Sequence, residues 1–333
     1  MSKNVALALA SGGPRGFAYI GAIEVLQERG YQISSIAGAS AGALVGGIFA
    51  AGGLEAFKQW LLGLDPLKIA ALTDLSLSKN YLVKGERVMD AIRGIVPEVN
   101  IEDLPIPYVA VATDLYTGEE VLFREGPVFE AVRASISIPS MFRPVKWKGR
   151  TLVDGGMVNT FPLNRAVRTP GDILVGFNVN EIDAAQIQGF LDSRADYAQR
   201  GAARRAEAKS LLKDTLATAE RGDFLEKMAR GGHLLRESIE DGRGERRLEA
   251  DGREGWIPVD ADDNYASILQ RSFGIMNSSL SRQAISLCPP DVLASLPFDS
   301  YHGVYGYSHA GEIIAKGREL MGAALDRFEA NQK

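Results

Sequence analysis

The sequence predicts a three-layer α/β protein, in which helices cover both faces of a mostly parallel sheet. Short apolar runs that are typical of buried strands alternate with segments whose apolar residues recur at helical spacing. Turns rich in glycine and proline separate the two kinds of segment. The chain has 333 residues, of which 46% are hydrophobic. It is therefore long enough for one large domain with an insertion.

The first 51 residues carry the clearest patterns. Val5–Ala10 predicts a buried strand that enters a glycine-rich turn, and Phe17–Arg29 predicts a helix that stops at Gly30. Ile33–Ala37 predicts a second strand, and Ala41–Ala51 predicts a helix of small residues packed closely on a sheet. Further strands are predicted at 107–112, 120–123, 151–153 and 172–179, and further helices at 127–135, 162–168, 265–286 and 308–328.

The composition changes after the last of these strands. Residues 181–262 carry 18 acidic and 14 basic side chains, with apolar residues such as Leu212, Leu216 and Ala219 at helical spacing. We predict an α/β domain formed by 1–180 and 265–333, with a charged, helical insertion at 181–264. The insertion could act as a lid, as a homo-oligomer interface or as a passive surface elaboration, and these alternatives stay open.

Charge and cysteine content exclude several classes of protein. The net charge of −5 argues against nucleic acid as a partner. The single cysteine, Cys288, excludes an intrachain disulfide and fits a reducing compartment. The apolar run at the N-terminus is shorter than a secretory signal, and no run approaches the roughly 18 residues of a membrane span. We expect a cytoplasmic protein without a signal peptide or transmembrane segment, and leave peripheral membrane contact open.

Ser40 is the candidate nucleophile. It lies between Gly38 and Gly42 in a Gly-x-Ser-x-Gly pattern, which is typical of a nucleophile elbow. The pattern alone arises by chance in glycine-rich chains, but here a predicted strand precedes it and a predicted helix follows it, as the elbow requires. The glycines allow strand and helix to approach closely.

Asp154 is the candidate general base. A serine at its ordinary pKa is a poor nucleophile and needs a group that takes its proton. Asp154 follows a short predicted strand and precedes Gly155 and Gly156, so it would lie at a strand end, where α/β active sites gather. A buried carboxylate at hydrogen-bond distance can take the proton directly.

A histidine base is the alternative. The histidines are His233, in the charged segment, and His302 and His309, near the C-terminus. A Ser–Asp–His triad that uses His302 or His309 stays open.

The glycine-rich segment at 11–16 directly follows the first predicted strand. Serine occupies the first glycine position of the dinucleotide fingerprint, and no Gly-Lys-Ser/Thr follows, so neither phosphate-binding motif fits. We expect an oxyanion hole instead, with donors among the amides of Gly12, Gly13, Arg15 and Ala41. The Arg15 side chain is expected to brace the loop, and contact with an anionic head group stays open.

The three segments together resemble the patatin-like phospholipase family. Gly12–Gly16, Gly38–Gly42 and Asp154–Gly156 match its glycine loop, elbow and Asp-Gly-Gly tripeptide in order. Arg133–Pro139 is similar to the stretch that precedes the aspartate in bacterial members. The resemblance covers roughly residues 4–180 and resumes over about 265–325. This sequence departs from the family pattern in two places. Residues 10–11 are Ala-Ser where plant patatins have Asp-Gly, and residues 181–262 have no counterpart.

The resemblance implies a Ser40–Asp154 dyad that hydrolyses fatty-acyl esters through an acyl-enzyme, as a phospholipase A, lysophospholipase or lipase-type esterase does. The expected substrate is a phospholipid or another fatty-acyl ester, reached by transient membrane-surface contact, and no metal or cofactor is required. Two alternatives stay open. One is a thioesterase or small-ester carboxylesterase with the same dyad, and the other is a catalytically silent lipid-binding protein.

Overall fold

A computed structural model gives the fold of residues 3–72, 81–182, 265–298, 300–301 and 304–332. The chain divides into two compact units, Met1–Ile182 with Gly274–Lys333, and Asp183–Phe273. Of the second unit only residues 265–273, the start of a long helix, are described. The helical insertion predicted at 181–264 therefore lies outside the described residues, apart from its first two positions.

The described part of the chain begins with alternating strands and helices, whereas β6 to β9 follow one another without an α-helix between them. The strands are β1 (Asn4–Leu9), β2 (Gln32–Ala39), β3 (Tyr81–Val83), β4 (Tyr108–Asp114), β5 (Glu120–Phe123), β6 (Ser140–Phe142), β7 (Val145–Trp147), β8 (Arg150–Asp154), β9 (Ile173–Glu181) and β10 (Val292–Pro297). The helices are α1 (Ala18–Glu28), α2 (Ala41–Ala50), α3 (Leu54–Leu62), α4 (Pro66–Leu72), α5 (Glu86–Arg93), α6 (Val128–Ser135), α7 (Tyr265–Leu287) and α8 (Ala310–Ala330).

The main sheet has a parallel body with an antiparallel extension. Its strand order is β10-β9-β1-β2-β4-β8-β7, and every neighbouring pair from β10 to β4 is parallel. β8 pairs antiparallel with both β4 and β7, and β5 pairs antiparallel with β4. β3 and β6 form a separate parallel pair. The predicted α/β class with a mostly parallel sheet is confirmed.

The first strand shows why the fold has three layers. Val5, Leu7 and Leu9 belong to one core, together with buried residues of α1, α2 and α8. The alternate residues of β1 belong to a second core, in which Ala284 and Ile285 of α7 pack against the opposite face of the sheet. Side chains of a strand point alternately to its two faces, so β1 divides the two cores. Each buried leucine stabilises the fold by about 1.5–3 kcal/mol.

The prediction of a helix at 162–168 is wrong. Only a single 3-10 turn, Leu163–Arg165, forms there, and Ala166 already has an extended backbone (φ −63°, ψ 124°). The chain beyond it is held by side-chain hydrogen bonds, because the Val167 carbonyl accepts from Ser35 and the Asp172 carbonyl accepts from Arg168. These bonds replace the backbone bonds of a helix.

None of the helices that the structure describes has a stretch long and apolar enough to cross a membrane.

Candidate active site

Strand pairing on β4 brings the candidate nucleophile and the candidate base together. β5 occupies one edge of β4, so β2 and β8 must share the other edge. β2 runs parallel to β4 and ends with Ala39 opposite Val111, whereas β8 runs antiparallel and ends with Asp154 opposite Ala112. The two strands thus approach each other from opposite directions and end at adjacent positions, where Ser40 begins the next element.

Ser40 lies on a strained turn between β2 and α2. Its backbone has φ 52° and ψ −121°, which non-glycine residues rarely adopt. A Cβ on Gly38 would lie 2.4 Å from the Gly42 backbone, and a Cβ on Gly42 would lie 2.2 Å from the Leu9 carbonyl oxygen. The elbow therefore requires glycine at both positions. Ala41 opens α2, and the first amides of a helix have no acceptor within it.

The Ser40 hydroxyl donates directly to Asp154, with an Oγ–Oδ2 distance of 2.5 Å. The Gly156 amide donates to Oδ1 at 2.7 Å, so each carboxylate oxygen accepts a hydrogen bond. Asp154 is only 4% exposed. Burial raises the pKa of Asp154 to about 6, although the hydrogen bonds from Ser40 and Gly156 oppose the rise. The carboxylate is therefore ionised at neutral pH, yet more basic than one in water.

Of the three histidines, the structure describes only His309. It precedes α8, its Nδ1 lies 3.3 Å from the Ser308 hydroxyl, and its ring centre lies 6.3 Å from that of Tyr301. In a triad an imidazole stands between the serine and the carboxylate, whereas here Ser40 contacts Asp154 directly. His233 and His302 lie outside the described residues.

The glycine-rich loop packs against both other motifs. A Cβ on Gly16 would lie 2.5 Å from the Cβ of Ala41, and one on Gly156 would lie 2.5 Å from the Ser11 hydroxyl. The Tyr19 hydroxyl donates to the Ala10 carbonyl at 2.6 Å and holds the start of the loop. The three sequence motifs are thus contiguous in space.

Gly13 and Arg15 lie in the 3-10 turn Gly13–Phe17, which Gly12 precedes. The buried Arg15 guanidinium donates from Nη1 to the Phe298 carbonyl at 2.7 Å and lies 4.7 Å from the centre of the Phe298 ring. The side chain thus ties the loop to the segment after β10, which is the bracing role expected for it.

Three residues that sequence analysis did not single out hold the site. The Asn180 amide group donates to the Ser11 carbonyl at 2.6 Å, and the Thr113 hydroxyl donates to the Asp154 carbonyl at 2.9 Å. Ser135 donates to Val111 and accepts from Ser40. Asn180 and Thr113 occupy ordinary strand positions and give no sequence signal, whereas Ser135 belongs to the stretch 133–139.

Among the residues that the structure describes, no group of three or more His, Cys, Asp or Glu side chains is placed to hold a metal ion.

Fold and site together define an α/β protein with a buried serine at a nucleophile elbow, paired with a carboxylate at a strand end. The patatin-like phospholipase profile matches residues 7–167. An uncharacterized NTE family protein of Mycobacterium bovis is 35% identical to this chain, with alignment over 98% of this chain and 93% of the relative. The chain belongs to the patatin-like phospholipase family.

Two further similarities each cover only part of the other protein. Patatin-like phospholipase domain-containing protein 7 of Mus musculus is 29% identical over 57% of this chain and 14% of that protein. The crystal structure of VipD from Legionella pneumophila is similar with a TM-score of 0.41 and 15% identity, covering 98% of this chain and 67% of that chain.

Proposed function

We propose that this protein is a serine lipid acyl hydrolase, with Ser40 as nucleophile and Asp154 as general base. The observation that carries the proposal is the 2.5 Å hydrogen bond between Ser40 Oγ and Asp154 Oδ2 inside a buried site. A hydroxyl bonded to a carboxylate of raised pKa can lose its proton as it attacks. Family membership supports an acyl ester as the substrate.

In the acylation step, Oδ2 of Asp154 takes the proton while Oγ of Ser40 bonds to the ester carbonyl carbon. The carbonyl oxygen becomes an oxyanion, and the proposed donors to it are the amides of Ala41, Gly12, Gly13 and Arg15. Collapse of the tetrahedral intermediate breaks the ester C–O bond. The leaving alkoxide takes the proton from Asp154, which leaves the acyl group on Ser40.

Deacylation uses the same groups with water in place of the hydroxyl. Asp154 takes a proton as the water oxygen attacks the acyl carbonyl, and the same amides stabilise the second oxyanion. Breaking the Ser40 Oγ–carbon bond releases the fatty acid and returns the proton to Oγ. Each proton has a defined donor and acceptor, so the dyad needs no imidazole.

An exposed apolar turn after β4 supports contact with a lipid surface. Tyr116 is 79% exposed and Leu115 is 48% exposed. They follow Ala112, which lies opposite Asp154, so they extend about 10 Å beyond the dyad at the same end of the sheet. Tyrosine has an apolar ring with a polar tip, which suits a membrane–water interface. We propose that this turn touches the aggregate that presents the substrate.

The test uses a fluorophosphonate probe and a lipid panel whose products are identified by mass. The wild-type protein should be labelled at Ser40 and should release fatty acid from at least one lipid class. Ser40→Ala should lose labelling and more than about a thousandfold of the turnover. Turnover above about one-thousandth of the wild-type value in folded Ser40→Ala protein would refute the assignment of Ser40 as nucleophile.

The choice of substrate separates the proposal from its alternatives. Faster turnover of micellar than of monomeric esters is expected for a lipid hydrolase, whereas preference for monomeric thioesters or short esters would indicate the same dyad on soluble substrates. Absence of labelling together with lipid binding would indicate a silent lipid-binding protein.

A further inference from the structure

We propose that Ser135 is a positioning residue that fixes the backbone of the nucleophile elbow. The inference rests on the proposed function of Ser40 and concerns a residue that takes no part in the bond changes. Ser135 is the last residue of α6 and is completely buried.

The Ser135 hydroxyl joins two backbone groups at the end of β2. It accepts a hydrogen bond from the Ser40 amide at 2.8 Å and donates one to the Val111 carbonyl at 2.6 Å. Ala39, the residue before Ser40, is paired with Val111 in the sheet. The hydroxyl therefore bridges the two strands where β2 turns away from β4.

The elbow creates the need for this bridge. The pairing of β2 with β4 ends at Ala39, and the next amide, that of Ser40, donates to a side chain and not to a carbonyl of β4. A buried amide without a hydrogen-bond partner destabilises the folded state. The Ser135 hydroxyl supplies that partner and fixes the peptide plane that leads into Ser40.

The same short segment also holds the base. The Asp154 amide donates to the Ser137 carbonyl at 3.0 Å. The buried Arg133 in turn donates to the Ser137 hydroxyl at 2.7 Å and to the carbonyls of Lys84 and Arg143. Residues 135 and 137 thus connect the backbones of nucleophile and base to one anchored segment.

The Val111 carbonyl, which accepts the hydrogen bond from Ser135, is also closely packed. A Cβ on Gly155 would lie 2.1 Å from the Val111 carbonyl oxygen. Gly155, which follows the proposed base, and the Ser135 hydroxyl, which holds the proposed nucleophile, thus both contact the Val111 carbonyl. A displacement there is transmitted to both sides of the dyad, and a misplacement of about 1 Å in a reacting group can cost a hundredfold in rate.

The experiment replaces Ser135 and measures kcat, KM and the rate of fluorophosphonate labelling on folded protein. Ser135→Ala removes both hydrogen bonds, and we expect kcat and labelling to fall about tenfold to a hundredfold while KM changes less than about threefold. Ser135→Cys keeps the shape but bonds weakly. The kcat of Ser135→Cys should fall between those of wild type and Ser135→Ala. If Ser135→Ala does not fold, the kcat of Ser135→Cys relative to wild type tests the positioning role.

Ser35→Ala is the matched control. Ser35 is also buried on β2 and its hydroxyl also donates to a carbonyl, that of Val167. It lies five residues before Ser40, about 15 Å away along the strand. Ser35→Ala should lower the thermal midpoint comparably to Ser135→Ala and leave kcat within about twofold of wild type.

The outcomes are separable. Folded Ser135→Ala or Ser135→Cys protein with wild-type kcat would overturn the positioning role, and so would a matching fall in kcat in Ser35→Ala. If Ser40→Ala stays active, the proposed function itself fails. If Ser40→Ala is inactive while the Ser135 variants keep their kcat, only this inference fails.

Discussion

Replacing Asp154 with Asn should stabilise the protein while abolishing its activity. Burial raises the pKa of Asp154 from 3.8 to about 6, so the folded state resists ionisation of this group. In Asp154→Asn the side-chain oxygen can still accept from the Gly156 amide, and the side-chain nitrogen can donate to the Ser40 hydroxyl. The substitution therefore removes the buried charge and keeps both contacts, although donor and acceptor are exchanged in the contact with Ser40.

The size and pH range of the effect follow from the two pKa values. Below about pH 4 the carboxyl is protonated in both folded and unfolded chains, and the variant gains nothing. Between pH 4 and 6 the unfolded carboxyl ionises first, so the wild type loses stability as the pH rises. Each unit of pKa shift is worth about 1.4 kcal/mol, so the difference approaches about 3 kcal/mol above pH 6.

Urea unfolding of both proteins at intervals from pH 4 to 8 measures this difference. Ser40→Ala is the control, because it keeps the carboxyl and should also lose stability as the pH rises. Its loss should be somewhat larger than that of wild type, because the hydrogen bond from Ser40, which lowers the pKa of Asp154, is gone. A stability difference between wild type and Asp154→Asn that is constant over this range would refute a raised pKa in the folded state.

The ionisation of Asp154 that lowers stability as the pH rises should raise activity. Only the ionised Asp154 can take a proton, so kcat/KM of the wild type should fall about tenfold per pH unit below 6 and level off above it. The rate should be measured on a monomeric ester, so that changes in lipid packing do not contribute. A rate that is flat from pH 4.5 to 8 would contradict the assignment of Asp154 as base.

Three further predictions follow from the geometry. Single replacement of His233, His302 or His309 by Ala should leave most of the turnover, and a variant as inactive as Ser40→Ala would instead establish a triad. Gly13→Ala should lower kcat much more than it changes KM in steady-state assays, because φ of Gly13 is +57° and one misdirected oxyanion donor costs about 2.7–4 kcal/mol. Leu115→Ser with Tyr116→Ser should weaken cosedimentation with phospholipid vesicles and spare monomeric ester hydrolysis. Leu287→Ser, at a leucine that is 86% exposed and lies before the edge strand β10, should change neither vesicle binding nor ester hydrolysis.

The parallel body of the fold could be predicted because its strands are distinctive in sequence. β1, β2, β4 and β9 are buried almost throughout, so they appear as continuous apolar runs bounded by turns. β10 was missed because Pro289 and Pro290 precede it and Pro297 ends it, which suggests a loop. The strands β6 and β7 have only three residues each and leave no periodicity to detect.

The candidate site could be predicted where its residues form local motifs, and not where they act across the fold. The glycines around Ser40 lie two residues to either side of it and so appear together in the sequence, although Gly42 is required by its contact with the distant Leu9. Ser135 acts on residues that are 95 and 24 positions away, and only the folded chain shows that its hydroxyl joins them. Asn180 reaches Ser11 over 169 positions for the same reason.

The antiparallel strand β8 explains how the side chain proposed as general base can be an aspartate that contacts Ser40 directly. A residue after a parallel neighbour of β2 would lie beside Ser40 at the same end of the sheet, one strand spacing of about 4.8 Å away. β8 instead approaches along the edge of β4 that β2 has just left, so Asp154 faces Ser40 end to end. The short carboxylate side chain then reaches the hydroxyl without an intervening ring. A slip of one residue between β8 and β4 would turn Asp154 to the other face of the sheet, so the register of this short pairing is as necessary to the dyad as the two side chains.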